Sequence, residues 1–109
     1  MNGHRAYVTS QITLSGSFQT VYQNISFSFL FINRIHICNT SASPVTVQIC
    51  FVPQSGSPGQ SNAALWNFTV AANDFIEWGK DEILPQGTTI SALASTASVV
   101  NVFLSAMGQ

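Results

Sequence analysis

The sequence predicts an all-β fold: a single antiparallel β-sandwich of jelly-roll type with about eight strands. Three observations carry this expectation. Apolar and polar residues alternate with a period of two along most of the chain, and clusters of Gly, Pro, Ser, Asn and Asp interrupt that alternation at short intervals. No stretch holds a 3.6-residue apolar period with helix caps, so little or no helix is expected. With 109 residues the chain forms one domain, residues 1–109, preceded by a short polar arm over about residues 1–5.

The strands follow in order from this pattern. They are expected at Ala6 to Leu14, Phe18 to Gln23, Ser26 to Cys38, Pro44 to Pro53, Ala63 to Val70, Phe75 to Trp78, Thr88 to Ala94 and Ser98 to Ala106. Between them lie Ser15-Gly16-Ser17, Asn39 to Ser43, Gln54 to Asn62, Asn73-Asp74 and Leu84-Pro85-Gln86-Gly87, all with turn chemistry. The stretch QSGSPGQSN is too short to separate domains and reads as an exposed loop.

The segment RIHICNTSASPVTVQICFVP, Arg34 to Pro53, reads as a hairpin. Pairing Ile37 with Val45, Ile35 with Val47 and Phe31 with Phe51 places Phe31, Ile35, Ile37, Val45, Val47, Ile49 and Phe51 on one buried face. Arg34, His36, Cys38, Thr46, Gln48 and Cys50 then share the other face, with Arg34 beside Gln48 and Cys38 opposite Pro44. In that register the two cysteines stand about 20 Å apart at ~3.4 Å per residue, beyond the ~7 Å that a disulfide spans. They are expected to be free thiols packed as small apolar groups, with a bond between subunits as the minor alternative. Arg34 and His36 are candidate contact residues, because the guanidinium fork suits a partner carboxylate or carbonyl.

Composition narrows the function classes. The chain is 46% hydrophobic and 6% charged, with three basic and four acidic residues and a formal net charge of −1. Soluble domains average about 25% charged residues, so such a surface favours a subunit covered by copies of itself or by partners. Three basic residues make no nucleic-acid footprint. No apolar run reaches the ~18 residues of a bilayer span, and MNGHRAYVTSQ lacks the layout of a signal peptide. Three N-x-Ser/Thr triplets, at Asn24, Asn39 and Asn67, read as chance in a chain rich in these residues.

Catalytic chemistry finds no support. There is no Gly-x-Ser-x-Gly elbow, no triad and no phosphate loop, so no catalytic residue, no cofactor and no enzymatic activity are expected. Asp74, Glu77, Asp81 and Glu82 crowd together, but with Lys80 among them and no EF-hand spacing they read as a solvated rim, not a metal site. In ALWNFTV, Trp66, Phe68 and Val70 are expected on one face, followed by Phe75, Ile76 and Trp78 after the Asn73-Asp74 turn. Twelve aromatic residues exceed what a small core holds, which makes Phe75 and Trp78 candidate interface residues beside Arg34 and His36. An exposed Trp beside Asn and Asp would equally suit a sugar.

The succession ICNTSASPVTVQICFVP, SNAALWNFTVAANDFIEW and ILPQGTTISALASTASVVNVFLSAM, about Phe18 to Ala106, resembles a family of small proteins encoded among the structural genes of tailed bacteriophages. The entry strand ISFSFLF is more aromatic than that pattern. The resemblance implies a virion structural protein made in the host cytoplasm. Together with the composition it leads to a capsid cement or decoration protein, a homotrimer that binds the major capsid protein or other virion proteins. A head, neck or tail fibre component and a glycan-binding host-attachment module are the alternatives.

Overall fold

The computed structural model describes residues 5–79 and 81–109. The expected polar arm lies outside the described residues apart from an exposed Arg5, and so does Lys80 of the acidic rim. Nine strands are described: β1 (Ala6–Thr13), β2 (Gln19–Gln23), β3 (Phe29–Asn39), β4 (Val45–Val52), β5 (Ala63–Val70), β6 (Phe75–Trp78), β7 (Ile83–Pro85), β8 (Thr89–Ala94) and β9 (Val100–Gly108). They form two antiparallel sheets packed as a β-sandwich. The first has the order β1-β9-β3-β6, with β7 also on β3, and the second the order β2-β8-β4-β5. The expected strands agree with these to within three residues at either end, and β5 and β6 coincide with them. The ninth strand, β7, arises where a turn was expected at Leu84-Pro85: Leu84 is buried opposite Leu30, which draws the segment onto β3.

The hairpin expected of β3 and β4 is not formed, because the chain passes from one sheet to the other between them. β3 pairs with β9, β6 and β7, whereas β4 pairs with β8 and β5. Ile37 therefore lies opposite Val102 and Ile76 instead of Val45, and Ile35 opposite Leu104 and Trp78 instead of Val47. Cys38 faces Asn101 and Phe75, not Pro44, and the neighbour of Arg34 on β9 is Ser105, while Gln48 is in the other sheet. Of the expected apolar face, Ile35, Ile37, Val45, Val47 and Ile49 are buried and Phe51 packs against the core, whereas Phe31 does not share it. Two apolar strand faces can be buried side by side in one sheet or opposed across a sandwich, and alternation alone looks the same in both cases.

Two bulges move individual side chains. In β3 the register with β9 shifts between Ile32 and Arg34, so Leu30 and Ile32 before the shift and Ile35 and Ile37 after it all point inward. Phe31 consequently turns to the outer face, opposite Met107 and Ile83, and has no contact register with Phe51. In β5 the left-handed Asn67 (φ 53°) sits at a bulge opposite Gln48, whose Nε2 donates to Asn67 Oδ1 at 2.6 Å. Leu65 pairs with Ile49 and Phe68 with Val47, which puts Trp66 on the face opposite Phe68 and Val70.

Two buried asparagines hold the ends of the sandwich. Asn39, fully buried at the end of β3, donates through Nδ2 to the carbonyls of Ser43 (2.8 Å), Val70 (3.1 Å) and Ala71 (3.2 Å). Its Oδ1 accepts from Ser41 N at 2.9 Å and from the Ser41 hydroxyl at 2.8 Å, and its own N–H donates to Asp74 O at 2.9 Å. At the other end the amide oxygen of Asn24 accepts from Phe27 N at 3.1 Å, while the backbone of Asn24 is bonded to Thr88 and Gly87. Burial leaves neither side chain free to carry a glycan.

Both cysteines are free, as expected, although the sheet assignment and not a shared hairpin keeps them apart. Cys38 is half-buried on the outer face of the first sheet. Cys50 is buried on the second sheet, where the loop before β5 covers it and its Sγ donates to Gly59 O at 3.5 Å. Burial pushes the Cys50 thiol above its ordinary range.

Two outcomes are expected from this architecture. Asn39→Ala leaves the buried Val70 carbonyl without its donor and frees those of Ser43 and Ala71, and should lower unfolding free energy by about 2–3 kcal/mol, read from the urea midpoint at unchanged slope. Alkylation of the native protein should label Cys38 well before Cys50, followed by mass spectrometry, and both should react once the chain is denatured. Equal labelling of the two in the native state would contradict the cover over Cys50.

Candidate interface on the outer face of the first sheet

Strand register lays out the exposed face of the first sheet as four rows. Tyr7, Met107, Phe31 and Ile83 form the first, with Phe29 beside Pro85 at its margin. Thr9, Ser105 and Arg34 form the second, and Gln11, Phe103, His36 and Glu77 the third. Thr13, Asn101, Cys38 and Phe75 complete the set. Of the seven large apolar side chains that stand exposed among the described residues, five are on this face: Tyr7, Phe29, Phe75, Ile83 and Phe103. Tyr7 is the most open of them at 85% of its surface, and Phe75 and Ile83 keep more than half of theirs. Only Ile25 and Phe68 are exposed elsewhere.

Polar groups cross the middle of this face. Glu77 Oε2 lies 3.2 Å from His36 Nδ1 and 3.5 Å from Arg34 Nη1. Arg34 and Glu77 are largely open to solvent and His36 partly so, and the pairing therefore contributes little to stability, about 0–1 kcal/mol. The imidazole of His36 stacks on Phe75 with centroids 4.8 Å apart and meets Phe103 edge-on at 5.9 Å. The face thus has two apolar zones, one around Tyr7, Phe29 and Ile83 and one around Phe75, His36 and Phe103, with the Arg34–Glu77 pair between them. Small side chains at Thr9 and Ser105 leave a shallow trough there.

The structure brings three of the four candidate residues, Arg34, His36 and Phe75, onto this one face. Trp78 goes the other way. It shares the inward face of β6 with Ile76, packs against the core and stacks on Phe51 at 5.8 Å. It also lines the depression beside Asn33, Arg34, Glu77, Gly79 and Glu82. Gly79 has a left-handed backbone (φ 92°), and a Cβ there would press on Ile32 and Ile35. Tyr7, Phe29, Ile83 and Phe103 were not singled out from sequence. For Tyr7 and Phe103 a signal existed, since each sits out of phase with the inward residues of its strand, Val8 and Ile12 in one case and Val102 and Leu104 in the other. The carboxylates Asp74, Glu77, Asp81 and Glu82 are exposed, and among the described residues no group of three or more metal-ligating side chains occurs.

No family model matches the chain, and no curated protein matches it. Solved structures do share its fold. A subunit of the Bacillus endospore appendages, described as a family of disulfide-linked pili, superposes with a TM-score of 0.52 at 16% identity, over 100% of this chain and 93% of that one. A chain of the T13 particle of IBDV, an icosahedral virus, superposes with a TM-score of 0.52 at 10% identity, over 94% of this chain and 30% of the viral one. At such identities the likeness is one of fold.

Proposed function

We propose that the chain is a self-associating structural subunit of a virus particle, and that the outer face of the first sheet is its contact surface. The observation that carries this reading is the concentration of Tyr7, Phe29, Phe75, Ile83 and Phe103 on that single face of a chain with only seven charged residues. Four strands of about eight residues span roughly 500 Å² in projection, the scale of one side of a modest specific interface. Assembly in the two proteins of like fold, a pilus and a viral particle, supports the same reading. So does the chain path, which changes sheet at every connection except β4–β5 and β6–β7, a strand plan that suits a jelly roll.

In its finer form the proposal is a capsid cement or decoration protein of a tailed phage, a homotrimer that bridges neighbouring capsid subunits without catalysing a reaction. Each square ångström of apolar face buried contributes on the order of 25 cal/mol, set against the cost of fixing one subunit on another. A second reading, a filament subunit such as a head, neck or tail fibre, is favoured by the endospore pilus, almost all of whose subunit is covered. The glycan-binding alternative is weakened by Trp78, whose ring is stacked on Phe51 and not presented as a platform.

Light scattering should give a mass that is a multiple of 11.7 kDa and contains the factor three. Phe75→Ser combined with Phe103→Ser is expected to reduce that mass while the melting temperature changes little, each ring contributing about 1–3 kcal/mol to association. Added salt should have a small effect, because Arg34 and Glu77, already paired, are the charged side chains that the described strand residues place on the face. A wild-type protein that stays monomeric at high concentration would refute self-association. Antibody labelling of purified particles tests the virion location.

A further inference from the structure

The four sheet edges are not alike. β2 has five residues and a bulge between Thr20 and Tyr22. β5 is kinked by the bulge at Asn67. On the third edge β6 has four residues, carries Glu77 and ends at the left-handed Gly79, and β7 has three residues and ends in Pro85. Bulges, short length, charge and proline are the devices by which sheet edges avoid pairing with other chains. β1 has none of them: it runs for eight residues, AYVTSQIT, with no charge, no proline and no break in its register with β9.

We propose that β1 is a docking edge for a second copy of this chain, β1 on β1 and antiparallel, about a two-fold axis at Ser10. The occupant follows from the comparison of edges: β1 of another copy is the one long, regular, uncharged edge that this chain itself offers. Pairing an edge with itself is possible only across a two-fold axis, which closes the contact at two copies.

The register follows from the backbone. Leu14 N donates to Val100 O at 2.8 Å, so at that end of β1 the even-numbered residues turn their N–H and C=O toward β9. Continued along a strand without bulges, this directs the backbone groups of Tyr7, Thr9, Gln11 and Thr13 away from β9. Among the described residues those groups make no hydrogen bond to any element other than β9. A two-fold axis at Ser10 pairs Tyr7 with Thr13 of the second copy and Thr9 with its Gln11, and uses all four outward residues of each strand. An axis at Thr9 would leave the Thr13 end overhanging. The two first sheets become one continuous sheet, with both outer faces on the same side.

This inference goes beyond the proposed contact face but rests on the same reading of the chain as self-associating. Two substitutions test it. Ser10→Cys places two thiols directly opposite each other at a non-hydrogen-bonded position, where Cα atoms stand ~4.5 Å apart, within disulfide range. Mild oxidation should yield a covalent dimer, with the two position-10 peptides joined in the mass spectrum. Thr9→Pro removes an outward N–H without touching the β9 ladder, and should weaken association by about tenfold or more at unchanged circular dichroism and melting temperature. Gln11→Pro serves if Thr9→Pro does not fold. Wild-type mass should be an even multiple of the subunit, six copies where the face forms the proposed three-fold contact, and a mass of three subunits would overturn the edge contact. Absence of the position-10 cross-link under conditions where the wild type associates, or wild-type association of a folded proline variant, would overturn the edge contact. If the paired Phe75 and Phe103 substitutions still dissociate the protein in that case, the face reading stands alone. A monomeric wild type overturns both.

Discussion

The buried amide of Asn39 ties together three parts of the chain at one end of the sandwich. It sits at the last residue of β3, where the chain leaves the first sheet, and its nitrogen donates to the turn that follows and to the end of β5 in the second sheet. Its backbone N–H is bonded to Asp74, at the entry to β6, where the chain returns to the first sheet. A two-hydrogen donor shared among three carbonyls and an oxygen accepting two bonds leave no polar atom of this side chain unsatisfied. No apolar residue could do this, because the groups to be joined are main-chain carbonyls, that of Val70 buried. This end of the sandwich is held by one neutral, satisfied side chain, as the other is by Asn24, in keeping with the scarcity of ion pairs among the described residues.

Between those two ends, the core is conventional apolar burial between two opposed faces. Leu30, Ile35, Ile37, Val102 and Leu104 of one sheet and Val45, Val47, Ile49, Ile90 and Ala92 of the other fill it. Which residues point inward was legible in the sequence wherever a strand is regular, because burial selects every second side chain. Pairing partners were not. Sequence neighbours usually pair in antiparallel sheets, yet here β4–β5 is the one connection between consecutive strands that forms a paired hairpin among the described residues. Period-two alternation contains no term for the identity of the neighbouring strand. The bulges at Asn33 and Asn67 were equally silent, since a one-residue insertion is visible only against a partner strand.

The candidate surface was legible in the same partial way. Arg34, His36 and Phe75 stood out as unusual residues on polar faces, and they do lie together. Trp78 stood out by size and is half-buried against Phe51. Phe29 and Ile83 gained their positions from β7, a strand whose Pro85 argued for a turn. Low charge, read from composition alone, turned out to have a location: the exposed large apolar groups are gathered mostly on one sheet, while the outer face of the other mixes Thr46, Gln48 and Thr89 with the partly buried Leu93 and Trp66. A near-neutral chain can remain dispersed when its apolar surface has a defined place to go.

The last strand in sequence, β9, is the second strand of its sheet, flanked by β1 on one side and β3 on the other. During synthesis on a ribosome, β1 and β3 therefore emerge with their apolar faces made and the strand that joins them absent. β3 can pair with β6 and β7 beforehand, but β1 gains its ladder only after loop-closure entropy has been overcome across nearly the whole chain. A product released before Val100–Gly108 keeps at most β3 with β6 and β7, leaves β1 without a partner strand, and lacks the β9 share of the outer face, Phe103 and Ser105 included. Any contact made through that face therefore requires translation to have passed β9, because a chain that stops short of Val100 presents an outer face interrupted between β1 and β3.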